Sequence, residues 1–184
     1  MDINVVYKKY ALLQDKYDIV INNNLMYKAR TEMFTLAVRI SVYDLNHKEV
    51  VSVEKLFKPY YDTYPSYVII FRNNSRFPFT AKSSTYFKLF VAQGRLEIYE
   101  QMDMKLGIFL NYIQIGLIER NNFIIGGGDN YHILLENDRI DHKMIIAFIL
   151  AFDNFYHNDK EYIEDYNPYF EDEKNVDVNW SPKY

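Results

Sequence analysis

The chain has 184 residues, enough for one domain with a proper core and short for two. Hydrophobic residues make up 49% and charged residues 25%, which excludes a disordered chain, and the absence of cysteine excludes disulfides and thiolate-held metals. The net charge of -4 is concentrated at the end: residues 1–157 hold 18 Lys and Arg against 17 Asp and Glu, a net of +1, and residues 158–184 hold 3 against 8, a net of -5. A near-neutral body excludes a dedicated nucleic-acid binder, which needs a strong basic surplus.

The opening residues, Met1-Asp2-Ile3-Asn4-Val5-Val6, have no basic stretch followed by an apolar run, so no signal peptide is expected and a reducing cytoplasm suits the composition. A strand is predicted over Val5–Tyr10. Tyr17-Asp18-Ile19-Val20-Ile21, Asn22-Asn23-Asn24 and Leu25–Ala29 then read as a hairpin, because Asn tolerates the left-handed backbone of tight turns. The second hairpin is clearer. Phe34, Leu36, Val38, Ile40 and Val42 alternate at period two, the turn cluster Asp44-Leu45-Asn46-His47 follows, and the chain returns through Val50, Val51 and Val53. Tyr67–Phe71, Arg72-Asn73-Asn74-Ser75 and Phe77–Ala81 form a third. Pro65 and Pro78 fall where a missing N–H does least harm, at strand starts or edges. Further strands are expected over Tyr86–Val91, Arg95–Glu100, Ile108–Ile115, Leu117–Arg120 and Tyr131–Leu135. About a dozen short strands indicate a sandwich or a barrel, and the 18 Tyr and 13 Phe suit strands.

One segment departs from this rhythm. Residues 139–157 lack period-two alternation and are long enough for a helix, with Asp138 or Asp141 as the cap and His157 and Lys160 at its negative end. Met144 to Phe152 is apolar on every face, with Ile145, Phe148, Ile149 and Phe152 at its heart, so the helix must be surrounded. In a chain of this size only the sheet can surround it. A closed barrel around a central helix follows. The apolar run is also far short of the ~20 residues that cross a bilayer, so no transmembrane segment is expected. Residues 158–184, acidic, rich in Tyr and carrying Trp180, read as an appended tail outside the barrel domain of residues 1–157.

Several segments, taken in order, resemble the LURP-one-related family of the tubby C-terminal-like superfamily. They are Tyr7-Lys8-Lys9-Tyr10-Ala11-Leu12, Asp15-Lys16-Tyr17-Asp18-Ile19, the Ile40–Asp44 and Glu49–Val53 hairpin, Tyr67-Val68-Ile69, Phe87–Val91, Gly128–Ile133 and Ile149-Leu150-Ala151-Phe152-Asp153. The similarity spans about residues 5–157. It implies a closed twelve-stranded antiparallel β-barrel around a hydrophobic α-helix. Relatives of the superfamily include tubby-like proteins, which bind phosphoinositides through basic residues, and phospholipid scramblases. This chain departs from the family in having Asn where several turn glycines are expected, a change the backbone accepts.

Motifs for chemistry are sparse. Gly126-Gly127-Gly128-Asp129 lacks the Lys-Ser/Thr of a phosphate loop and reads as a hairpin connection. His47, His132, His142 and His157 form no zinc-binding pair, Ser83-Ser84 has no flanking elbow glycines, and the paired carboxylates Glu164-Asp165 and Glu171-Asp172-Glu173 lie in the tail. No catalytic residue, metal or cofactor is therefore expected. Asp153, the one charge interrupting the apolar helix, is read as a structural acid near the barrel mouth, paired with backbone or a basic group. Arg39, Arg72, Arg76 and Lys82 come from strands and turns that a barrel can bring together, and they are the candidate site for an anionic head group. The expected protein is a monomeric, non-catalytic binding module of the cytoplasm or membrane periphery, acting on a protein partner or anionic phospholipid. The alternatives are a scramblase-like lipid-handling protein, or an inhibitor whose acidic tail engages a basic protein.

Overall fold

The computed structural model describes residues 1–9, 15–32, 38–56, 66–81, 86–101, 104–121, 129–136, 139–158 and 175–182. Twelve strands and one helix follow in chain order. The strands are β1 (Asp2–Lys9), β2 (Asp15–Ile21), β3 (Asn24–Glu32), β4 (Arg39–Asp44), β5 (Glu49–Leu56), β6 (Ser66–Phe71), β7 (Arg76–Ala81), β8 (Tyr86–Val91), β9 (Gly94–Gln101), β10 (Lys105–Leu110), β11 (Ile113–Asn121) and β12 (Asn130–Leu135). The helix is α1 (His142–Asn158). Each strand pairs antiparallel with its neighbours in sequence, and β1 also pairs with β12 through Ile3 opposite Ile133 and Val5 opposite Tyr131. The sheet closes on itself, so no strand edge is left to pair with another chain.

Period two decides what points inward. Tyr131, Ile133 and Leu135 are buried along β12, and Ile3, Val5 and Tyr7 along β1. These inner faces enclose α1, in which every residue from Ile145 to Phe152 is 0% exposed. Burying a Leu, Ile or Phe side chain contributes about 1.5–3 kcal/mol, so the helix and the sheet are stable only together. Aromatic contacts fix the fit: Phe87 meets Phe148, Phe152 and Phe155 edge-on, and Phe79 also lies against Phe148. The helix begins three residues later than expected. Asp141 caps it, its Oδ1 accepting the Lys143 N–H at 3.0 Å.

Asparagines hold several of the turns. Asn22 and Asn23 both take left-handed φ, 47° and 66°, as do His47 and Asn74. One expected strand is corrected by the same chemistry. Ile108–Ile115 is two strands, β10 and β11, separated by Asn111 (φ 48°) and Tyr112 (φ 71°). Tyr at a left-handed position gives no turn signal, so the apolar flanks conceal the reversal. Asn111 holds the turn beside its neighbour: Oδ1 accepts the Arg95 N–H at 2.9 Å and Nδ2 donates to the Gln93 carbonyl at 2.9 Å. Gly94 (φ 130°) makes this close approach feasible, because a Cβ there would lie 2.1 Å from Asn111 Oδ1.

Residues 175–182, within the acidic tail, lie against the outside of β9–β11, where Val176 is buried with Phe109 and Leu117. Phe34, Leu36, Lys82, Ser83-Ser84, Gly126–Gly128, Asp138, Lys160 and the Glu/Asp pairs of the tail lie outside the described residues.

Candidate functional site

Of the cations proposed from sequence, Arg39 and Arg76 fall on the outer face of β4–β7. Arg39, at the start of β4, is 26% exposed and meets three carboxylates: Glu32 at 3.4 Å, Glu49 at 2.8 Å, and Glu54 in close contact. Ser41, fully buried beside it, donates to Glu32 at 2.6 Å. Burial works against the Arg39 charge, but the Glu49 hydrogen bond and the three carboxylates carry its pKa above the ordinary value. Arg76 reaches the second Glu54 oxygen at 3.8 Å while 61% exposed. Glu54 thus brings Arg39 and Arg76 together, in a group of two cations and three anions. Arg72 sits in the β6–β7 turn, exposed and without an ion pair among the described residues. Lys82 lies outside the described residues. The carboxylates around Arg39 carry no sequence signal, because register sets Glu32 and Glu54 opposite it and side-chain reach brings Glu49.

A second cluster fills the barrel mouth at the C-terminal end of α1. Asp153 is buried, as its place on an apolar helix requires, and accepts three hydrogen bonds: Tyr131 Oη at 2.7 Å, Tyr17 Oη at 2.7 Å and the Asp129 backbone N–H at 3.0 Å. Its neighbours were not foreseen. Arg120, with its side chain 3% exposed, places Nε 3.5 Å from Asp129 Oδ2 and Nη1 3.8 Å from Glu100, with its guanidinium 4.0 Å over the Tyr156 ring. His157, one turn beyond Asp153, lies 3.4 Å from Asp129 and 3.6 Å from Asp153. The signal for Arg120 was present: period two puts it on the same inward face as Ile118.

Burial pushes the Asp153 carboxyl above its ordinary range, against the hydroxyls of Tyr131 and Tyr17, which pull it down. The Asp129 carboxylate 3.4 Å away raises His157, and burial opposes it. Asp129, Asp153 and His157 each place one ligand-type atom within 4.8 Å of the others. The same Asp129 oxygen, however, faces the Arg120 guanidinium, and three donors already occupy the Asp153 carboxylate. The chain therefore supplies its own cation here. The cluster is an ion-pair network that ties the last turns of α1 to β11 and β12.

At the opposite mouth, Phe71, Phe77, Val91 and Met144 line an open cavity of about 170 Å³, with Asp141 and Asn73 at its polar side. Ligand pockets generally measure about 300–1,000 Å³, so this cavity is smaller than most.

A closed antiparallel barrel filled by an apolar helix defines the tubby-like class of fold. The profile of the LURP-one-related family matches residues 1–153, and the chain belongs to that family. An Arabidopsis thaliana protein known from its X-ray structure has a similar fold. Its TM-score is 0.58 at 11% sequence identity, over 84% of this chain and 91% of that one. Among curated proteins none matches the sequence.

Proposed function

We propose that this chain is a non-catalytic binding module that works through its outer surface, on a protein partner or on anionic phospholipid head groups. The observation that carries this reading is the filled interior. Phe148, Ile149 and Phe152 are 0% exposed, so among the described residues the interior of the barrel is occupied by side chains of the helix. Membership of the LURP-one-related family supports a binding role. No described helix is long and apolar enough to cross a membrane, and α1 finds its apolar surroundings inside the sheet, which favours this reading over lipid translocation by the helix.

For head groups, the more exposed cations of the candidate face are the ones to weigh, Arg76 keeping a 3.8 Å contact with Glu54. Arg39 is matched by three carboxylates, so an incoming phosphate would have to displace them. Arg72 and Arg76 stand outward at the β6–β7 turn and are better placed to meet an anionic surface. Each basic residue near such a surface contributes about 1 kcal/mol, so Arg72→Glu/Arg76→Glu should weaken binding at least thirtyfold or so. Flotation with phosphatidylserine vesicles at low and high salt tests this. Binding that falls steeply with salt and is lost in the double variant supports head-group recognition. No flotation of the wild type at low salt removes it and leaves a protein partner.

A further inference from the structure

The outer face of β9–β11 carries a covered apolar cluster. An outward-facing strand position ordinarily carries a polar or half-exposed residue, yet Phe109 and Leu117 are only 4% and 2% exposed. What covers them is the end of the acidic tail. Val176 packs on both, and Trp180 and Tyr99 close over the same cluster. The strand beneath is shaped for this. Gly107 lies opposite Leu117 on one side and Tyr99 on the other, and a Cβ there would stand 2.9 Å from both Val176 methyls. The missing side chain makes a socket for Val176.

The remaining contacts read backbone. Gln114 Oε1 accepts the Asp177 N–H at 2.9 Å, and Gln114 Nε2 donates to the Asp177 carbonyl at 3.1 Å, so one side-chain amide pairs with the segment as an adjacent strand would. Lys105 Nζ donates to the Val178 carbonyl at 3.2 Å. These side chains hold the backbone of the segment whatever its sequence, and the socket at Gly107 admits one apolar side chain. The match to the family profile ends at residue 153, so the ligand lies beyond the family's domain while the socket lies within it.

We propose that the outer face of β9–β11 is a docking site for an extended peptide, and that residues 175–182 are its intramolecular ligand, a strap that must leave before a segment of another chain can bind. This goes beyond head-group recognition and does not depend on it. Residues 159–174 join α1 to the strap, and a chain of that length can extend over about 50 Å, ample for a barrel of this size. Tethering gives an effective concentration on the order of millimolar. A free peptide therefore competes poorly with an intact strap and well with a disabled one.

The probe is a fluorescein-labelled synthetic peptide of residues 174–184, read by anisotropy against full-length proteins. Val176→Asp places a charge over the apolar socket and should release the strap, so this variant should bind the peptide at least tenfold more tightly than wild type. Adding Gly107→Leu fills the socket and should weaken that binding at least tenfold. If leucine prevents folding, Gln114→Ala removes the backbone pairing instead and should also weaken it. Trp180 is the only tryptophan, so its emission should shift to the red in full-length Val176→Asp. Equal peptide binding by wild type and Val176→Asp, no binding by either, or unchanged Trp180 emission would each overturn the proposal, whatever the vesicles show.

Discussion

Asp153 shows how one residue can be polar, buried and structural together. Its carboxylate satisfies two tyrosine hydroxyls and a backbone N–H that α1 and the strands would otherwise leave unpaired in the core. Asp153→Leu orphans all three and should destabilise the protein by about 3 kcal/mol or more, whereas Asp153→Asn keeps an acceptor and should lose less. Urea denaturation of the two variants tests the order. Two histidines make an opposed pair at the ends of the same helix. The Asp129 carboxylate beside it raises His157, so its stabilising effect is complete below its unfolded pKa near 6.5 and fades as pH rises through the folded value. Burial lowers His142, so its effect is complete above about 6.5 and fades as pH falls through the folded value. The two together should contribute a maximum in melting temperature near pH 6.5. His157→Gln should flatten the limb above it, and His142→Gln the limb below. Persistence of both limbs in the double variant would assign them to other groups.

At the scale of elements, the hairpins divide into those the sequence discloses and one it conceals. Asn22-Asn23 and the cluster around His47 announce their turns, because few residues other than Asn, Asp and Gly accept positive φ comfortably. Asn111-Tyr112 hides between apolar strands, and only the hydrogen bonds from Asn111 across to the β8–β9 turn show why the chain reverses there. Asn111→Ala loses both bonds and the left-handed tolerance, and should destabilise by about 1–3 kcal/mol. Asn111→Gly keeps the backbone and should lose less. Equal thermal stability of the two would show that the left-handed backbone contributes little, because neither variant carries the side-chain bridge. The candidate sites were legible only in part. Arg39 could be picked out as a strand arginine, but Glu32, Glu49 and Glu54 surround it through strand register and side-chain reach. The Val176 socket depends on a glycine 69 positions earlier in the chain, a distance over which periodicity carries no information.

For the whole molecule, the inference that mattered was the absence of a polar face on Met144–Phe152. A helix apolar all round requires a container, and residues alone led to the barrel, while the count of twelve strands came from the resemblance to a family. The container also sets the consequences. Phe148 touches Phe79, Phe87 and Phe152, so Phe148→Ala should lose about 3–5 kcal/mol. Phe148→Asp, a buried charge without a partner, should prevent folding in a protein whose total stability is of the order of 5–15 kcal/mol. The proposal of a binding outer surface depends on α1 filling the barrel. Native-state hydrogen exchange of the amides from Ile145 to Phe152 tests it most directly. Their opening requires the barrel to come apart, so they should exchange only through global unfolding, with the free energy that urea denaturation gives for the whole protein. Exchange of those amides by local opening, well below the global value, would place the helix outside the barrel and contradict the account.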